Sequence, residues 1–370
     1  MDIGLITMHK IVNYGSVLQA YATARTFDKL GNHTVIIDYY NERMHLLGMA
    51  KRIKNKKEIF KKHPAVRFAA QCVMMPSYVR RFHTFKKFWK KYYTLTDTTY
   101  KSFGELYKTP PLFDVYCTGS DQVWNSEWNE CIDKAFFLDF IPKDKKCFAY
   151  AASFGKSALA ESEKEETKRL LKKYSRISTR EASGVSILND LGFSDCVSVL
   201  DPTLLLDLND WRPMISNRFK GKKYIMVYNL NRDPVINELA QKLAKDKNLP
   251  VYSVCYAYHD KIKRKDKIYC CPAVEDFLSM LYNAEYVITD SFHCTAFSVN
   301  FGKKFVTVYP HKFNTRLQSI INLCGLENRV AVSPDDYRIA DECIDYGKVY
   351  EKLETERKRA AEFIEEAVNS

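Results

Sequence analysis

The chain has 370 residues, 46% of them hydrophobic, enough for two domains with cores of their own and too much for a disordered chain. Its 57 Lys+Arg against 45 Asp+Glu give a formal net charge of +12. That excess sits almost wholly in residues 51–91, with 14 basic residues and one acidic (Glu58), so a near-neutral body with one basic segment points to a local acidic partner rather than to generic nucleic-acid binding. No run of about 18 apolar residues is present to span a membrane, and the opening MDIGLITMHK lacks the basic segment of a secretory signal. Eleven cysteines occur without a CxxC pair, Cys270-Cys271 being the one close pair, so neither a disulfide framework nor a metal site is expected. Reduced thiols in a cytoplasmic protein are the expectation.

In chain order, residues 2–8 read as a buried strand, 15–30 as a helix with an apolar face at Val17, Leu18, Tyr21, Ala24 and Phe27, and 33–39 as a second strand. Gly31 closes the helix. This βαβ opening predicts a doubly wound sheet. Residues 45–100 interrupt it with a Lys/Arg-rich stretch interleaved with aromatics, as in RRFHTFKKFWKKYY, which reads as a helical insert. Alternation resumes with strands at 113–118, 146–152, 175–179 and 196–200 and helices at 160–174 and 181–191. A second β/α series runs from strand YIMVYNL near Lys222 to a helix at 314–324. The expected organisation is an α/β domain over 1–210 carrying the basic insert, a second α/β domain over 211–346, and a charged helix over 347–370. Two Rossmann-like domains facing across a cleft form a glycosyltransferase-B-like architecture. Open parallel sheets bind ligands beyond the carboxyl ends of their strands, so the strand-to-helix loops are the candidate sites.

Four such loops stand out. Asn13-Tyr14-Gly15-Ser16 opens the first helix, where glycine lets a ligand approach and free N–H groups attract an anion; a simple capped turn fits equally well. In Gly119-Ser120-Asp121-Gln122-Val123-Trp124-Asn125, Asp121 could orient or deprotonate a sugar hydroxyl and Trp124 could stack on a sugar ring, or the loop could be a helix cap over a buried tryptophan. Arg180, in STRE, offers a bidentate fork for carboxylate or phosphate, or pairs with Glu181. In Thr289-Asp290-Ser291-Phe292-His293, His293 can act as general acid or base, and Ser291 with the free N–H groups can hold an anion.

Together the stretches NYGSVLQAYA (13–22), TGSDQVWN (118–125), AYAASFG (149–155), STREASG (178–184), VLDPTLLL (199–206) and VITDSFHCTAFSVNFGKKF (287–305) resemble the polysaccharide pyruvyl transferase family. The resemblance implies transfer of the carboxyvinyl carbons of phosphoenolpyruvate to two hydroxyls of one sugar, with release of phosphate. No further cofactor is implied. It also implies that Arg180 holds phosphoenolpyruvate and that His293 is catalytic; Asp121 is the second expected catalytic residue. Asn13, Tyr14, Gly15, Ser120, Gln122, Trp124 and Ser291 are the expected substrate-binding positions. Many members carry Arg-Leu-His where this chain has Ser291-Phe292-His293, so an anion-binding arginine is missing, and Arg316 or Lys303/Lys304 is expected to replace it. The implied acceptor is a lipid-linked or nucleotide-linked sugar. The basic aromatic insert would then dock on an anionic membrane, or be a solvated charged surface. The rival readings are a nucleotide-sugar glycosyltransferase of the same architecture and a non-enzymatic binder of anionic polymers.

Overall fold

The computed structural model describes residues 1–41, 48, 58–258, 266–310 and 315–369. The first half forms a six-stranded, wholly parallel sheet from β1 (Asp2–Ile6), β2 (His33–Ile36), β3 (Val115–Asp121), β4 (Lys146–Ala152), β5 (Arg176–Thr179) and β6 (Cys196–Ser198). Their spatial order is β2-β1-β3-β4-β5-β6. The second half forms a five-stranded parallel sheet from β7 (Ile225–Tyr228), β8 (Val251–Cys255), β9 (Lys267–Cys270), β10 (Tyr286–Thr289) and β11 (Lys304–Thr307), ordered β11-β10-β7-β8-β9. All seven residues of β3 and all but the first of β4 are buried. Helices cover both faces, which is why these strands read as apolar runs rather than as alternation. The edge strand β9 is an addition to the sequence-based expectation, and only its last residue is buried.

The strand order places the site. Each sheet reverses its winding once, between β1 and β3 in the first domain and between β7 and β10 in the second. Loops leaving such a switch point diverge and open a crevice. Both crevices face the same cleft.

Tyr14 and the C-terminal helix tie the halves together. Tyr14, at the start of helix Tyr14–Lys29, is buried against the second domain. Its ring stacks on Phe277 at 4.1 Å between centroids, and its hydroxyl donates to the carbonyl of Pro272 at 2.6 Å. The helix Tyr346–Asn369 leaves the second domain and packs Phe363, Ile364, Ala367 and Val368 into the core of the first.

The basic insert is helical over Glu58–Lys62 and in the 29-residue helix Pro64–Tyr92, but residues 93–100 are not helical, Leu95 and Tyr100 bridging Ile36 and Tyr39; its expected part over 45–57, Gly48 apart, lies outside the described residues. The structure changes the reading of its aromatic residues. Phe85, Phe88 and Trp89 are buried in the core shared by the two domains, and Phe82, Tyr92 and Tyr93 pack against it. Rings committed to that core are not free to enter a bilayer. Arg80 donates to the carbonyl of Cys270 at 2.8 Å, and Lys91 pairs with Glu275 at 3.0 Å, so the helix straps one domain to the other. No described helix is long and apolar enough to cross a membrane.

Candidate active site in the interdomain cleft

A cavity of about 330 Å³ lies where the two switch points meet. Two helix N-termini border it, Asn13 and Ser16 of helix Tyr14–Lys29 and Ser291 to His293 of helix Phe292–Asn300, and Arg316 of helix Thr315–Cys324 lines it too. Free N–H groups and aligned peptide dipoles make each of these ends receptive to an anion. Asn13 caps its helix by accepting from the Gly15 N–H at 2.9 Å, and Ser291 caps its own by accepting from the Cys294 N–H at 3.4 Å.

Asp121 ends β3 with a left-handed backbone, φ 72°, an uncommon state for a residue other than glycine. The turn aims its carboxylate into the cleft. One oxygen accepts from the Ser16 hydroxyl at 2.7 Å and the other from the Gln122 N–H at 2.9 Å. Burial raises the Asp121 pKa, but the charges of Arg180 and His293 and the Ser16 hydrogen bond more than offset this and leave it low. So low a carboxyl is a weak base. It suits orienting a hydroxyl better than deprotonating one.

His293 turns Nε2 toward Asp201, 3.6 Å from Oδ2, within ion-pair range. Asp201 is buried at the mouth of the first sheet and accepts from Arg180 at 3.0 Å and from the Thr203 N–H and hydroxyl at 3.0 and 2.6 Å. Burial raises its pKa too, yet His293, Arg180 and Thr203 together hold it well below the usual carboxylate range. The pair is thus built across the domain boundary, the acid from one domain and the ring from the other.

Gly15 explains how the ring fits. A Cβ there would stand closer than 3.0 Å to Nδ1, Cγ and Cε1 of His293. Gly15 is therefore the seat of the imidazole and not an anion cradle. Gly15→Ala is expected to displace His293 and lower turnover by ~10²-fold, the cost of misplacing a reacting group by about 1 Å, with little change in melting temperature. Wild-type turnover in a folded Gly15→Ala protein would show that the contact does not matter.

Arg180 is placed differently from the expected donor contact. Only 1% of its side chain is exposed, and it lies behind the cavity wall between Asp201 at 3.0 Å, Asp121 at 3.5 Å and Glu181 at 3.7 Å, with Phe292 over its guanidinium. Burial opposes its charge, but the three carboxylates prevail and raise its pKa. Arg316, by contrast, lies on the cavity wall. Among the described residues no carboxylate lies within ion-pair distance of it, and burial followed by repulsion from Arg180 lowers its pKa. A cation in that state gains from an anion brought beside it. Lys303 and Lys304 are elsewhere, the first donating to the carbonyl of Tyr282 and the second over the ring of Tyr286.

The cavity thus brings together Asn13, Asp121, Gln122, Ser291, His293 and Arg316. Tyr14, Ser120 and Trp124 do not line it. Tyr14 serves the domain contact, and Ser120 is buried within β3. Trp124 is buried, donates its indole N–H to the carbonyl of Phe136 and stacks on Phe137. The ring at the rim is Trp128, 42% exposed and one helical turn further on. Sequence reasoning also missed Asp201, whose Asp-Pro step starting a helix was the available signal, and Arg81, which the insert sends into the cavity wall over the ring of Tyr256. Asp290 was missed as well. It accepts from the N–H groups of Leu230 and Asn231 and from the Asn231 amide, fixing the loop after β7. Burial nevertheless raises its pKa.

Two doubly wound sheets with one anion-receptive site between them define a two-domain α/β protein of glycosyltransferase-B-like architecture. Solved structures agree on the fold. The UDP-N-acetylglucosamine 2-epimerase of Rickettsia bellii is similar at TM-score 0.54 and 13% identity, over 100% of this chain and 96% of that one. The UDP-GlcNAc 2-epimerase of Methanocaldococcus jannaschii gives 0.50 at 12%, over 96% and 92%, and the MnaA–UDP complex of S. aureus 0.50 at 11%, over 95% and 90%. No curated protein matches the sequence. The profile of the polysaccharide pyruvyl transferase family matches residues 13–312, and the chain belongs to that family.

Proposed function

We propose that the protein transfers the pyruvyl carbons of phosphoenolpyruvate to two hydroxyls of one sugar in a cell-surface polysaccharide precursor, working in the cytoplasm at the inner face of the membrane. The observation that carries this reading is Arg316, a cation that no described carboxylate pairs with, on the wall of a cavity that also holds His293. The donor brings a carboxylate and a phosphate, and two helix ends and Arg316 are suited to receive them. His293, steadied by Asp201 and seated on Gly15, gives a proton to C3, which makes C2 electrophilic. One sugar hydroxyl adds to C2, the bond from C2 to the phosphate oxygen breaks, and the second hydroxyl closes the ketal. Of the two hydroxyl protons released, one balances that delivered to C3 and the other leaves with phosphate. Asp121 and Gln122 orient the hydroxyls, and Trp128 offers the face for the sugar ring.

Arg316→Met is expected to weaken phosphoenolpyruvate binding by ~10–100-fold, the worth of a charge-assisted hydrogen bond of about 1.5–3 kcal/mol. Calorimetric titration of the folded variant measures it. Unchanged affinity would remove Arg316 from the donor site. If the wild type binds UDP and ignores phosphoenolpyruvate, the nucleotide-sugar reading replaces this one. Incubation with phosphoenolpyruvate and a panel of lipid-linked and nucleotide-linked hexosides, scored by phosphate release and the mass gain of a ketal, tests the whole reaction.

A further inference from the structure

The helix Pro64–Tyr92 faces a second hollow besides the active-site cavity. Arg81 lines the cavity, while its neighbour Arg80, with His83 and Lys87, lines a groove of about 1360 Å³ between this helix and the second domain. Adjacent residues point about 100° apart on a helix, so the two hollows flank the same turn. The groove is apolar along Val79, Pro213 and Met214. Its acidic residues are already committed, Glu275 to Lys91 at 3.0 Å and Asp276 to Arg218 at 2.5 Å. Among the described residues, no carboxylate pairs with Arg80 or Lys87. The same helix holds large apolar side chains in solvent, with Phe68 67%, Val73 69% and Val79 48% exposed. Residues 58–92 carry nine Lys or Arg and a single acid, Glu58.

An apolar channel flanked along one helix by Arg80 and Lys87, neither paired with a described carboxylate, matches an amphiphile with a long chain and an anionic head. A flat bilayer face would meet a convex surface, whereas a concave channel takes a single chain. We propose that the groove binds the chain of a polyprenyl phosphate-type lipid, with its phosphate at Arg80 and Lys87. A sugar attached to that phosphate would then project past Arg81 toward the active-site cavity. The proposal rests on the reading of the protein as a transferase acting on a carrier-linked sugar, and it assigns the carrier its own site.

The test is flotation of the full chain with phosphatidylcholine vesicles containing either a long-chain polyprenyl phosphate or phosphatidylglycerol at matched charge. The polyprenyl vesicles are expected to retain ~10-fold more protein than the phosphatidylglycerol vesicles, and part of that excess should survive 1 M salt, where charge attraction is screened within ~3 Å. Val79→Asp and Lys87→Glu, both away from the donor cavity, should each reduce polyprenyl-dependent retention by ~10-fold or more. Equal retention by the two vesicle types, or retention undiminished in Val79→Asp, overturns the proposal. Phosphoenolpyruvate titration of the same samples checks folding and keeps the two ideas apart. Lipid capture without donor binding would sink the transferase reading alone, and donor binding without lipid preference would sink the groove alone.

Discussion

His293→Ala is expected to lower turnover by ~10²–10⁴-fold while phosphoenolpyruvate affinity changes far less, the pattern of a lost general acid rather than a lost binding contact. The structural ground is a ring held from three sides. Asp201 stands 3.6 Å from Nε2, Gly15 leaves no Cβ on the Nδ1 side, and Phe292 packs edge-on at 4.9 Å between centroids. Asp201→Asn keeps the shape and removes the charge, so it should give a smaller drop in the same direction. Single-turnover measurements at saturating donor separate chemistry from binding. Wild-type turnover in a folded His293→Ala protein would eliminate the role.

Arg180→Met is expected to destabilise the fold by about 3–5 kcal/mol, because it leaves three buried carboxylates around a neutral side chain. That is a large share of the stability of an ordinary domain, about 5–15 kcal/mol. Asp121, Asp201 and Glu181 are all nearly inaccessible, and Arg180 is the cation between them. Urea denaturation at neutral pH measures the loss. Arg180→Lys should recover part of it, a point charge serving one carboxylate well and the others poorly. A loss below about 1 kcal/mol for Arg180→Met would mean that the acids are satisfied by other groups. The outcome also separates scaffold from contact. A scaffold residue lowers stability first and alters donor affinity in the folded fraction much less.

The fold was largely legible in the sequence because parallel strands covered on both faces announce themselves as apolar runs between helices. β9 escaped because an edge strand with partly exposed residues lacks that signature. The positions of the candidate loops were legible too, since a strand end before a helix is a local pattern. The direction of a side chain was not. Trp124 and Trp128 both belong to the region after β3, yet one packs inward on Phe137 and the other stands at the cavity rim. Nor does an Arg-Glu pair in STRE reveal that two further aspartates close around Arg180. Meetings of residues far apart in the chain were beyond local reading altogether. Gly15 under His293 and Asp201 beside the same ring exist only because two separately wound sheets are pressed together. Charge density misled in one respect, since the aromatics of the insert fill a shared core and leave its valines and Phe68 outside.

The helix Tyr346–Asn369 has a bearing on how the molecule is made. Phe363, Ile364 and their neighbours complete a core whose other members lie mostly in residues 3–151. A nascent first domain therefore leaves the ribosome with an apolar strip uncovered. At ~5–20 residues per second, the ~160 residues still to be translated keep that strip open for roughly 8–32 s. During that interval the half-made product displays a sticky surface to every chain around it. Chaperone holding during synthesis is thus a demand imposed by topology, and the two domains mature together once the distant helix has arrived.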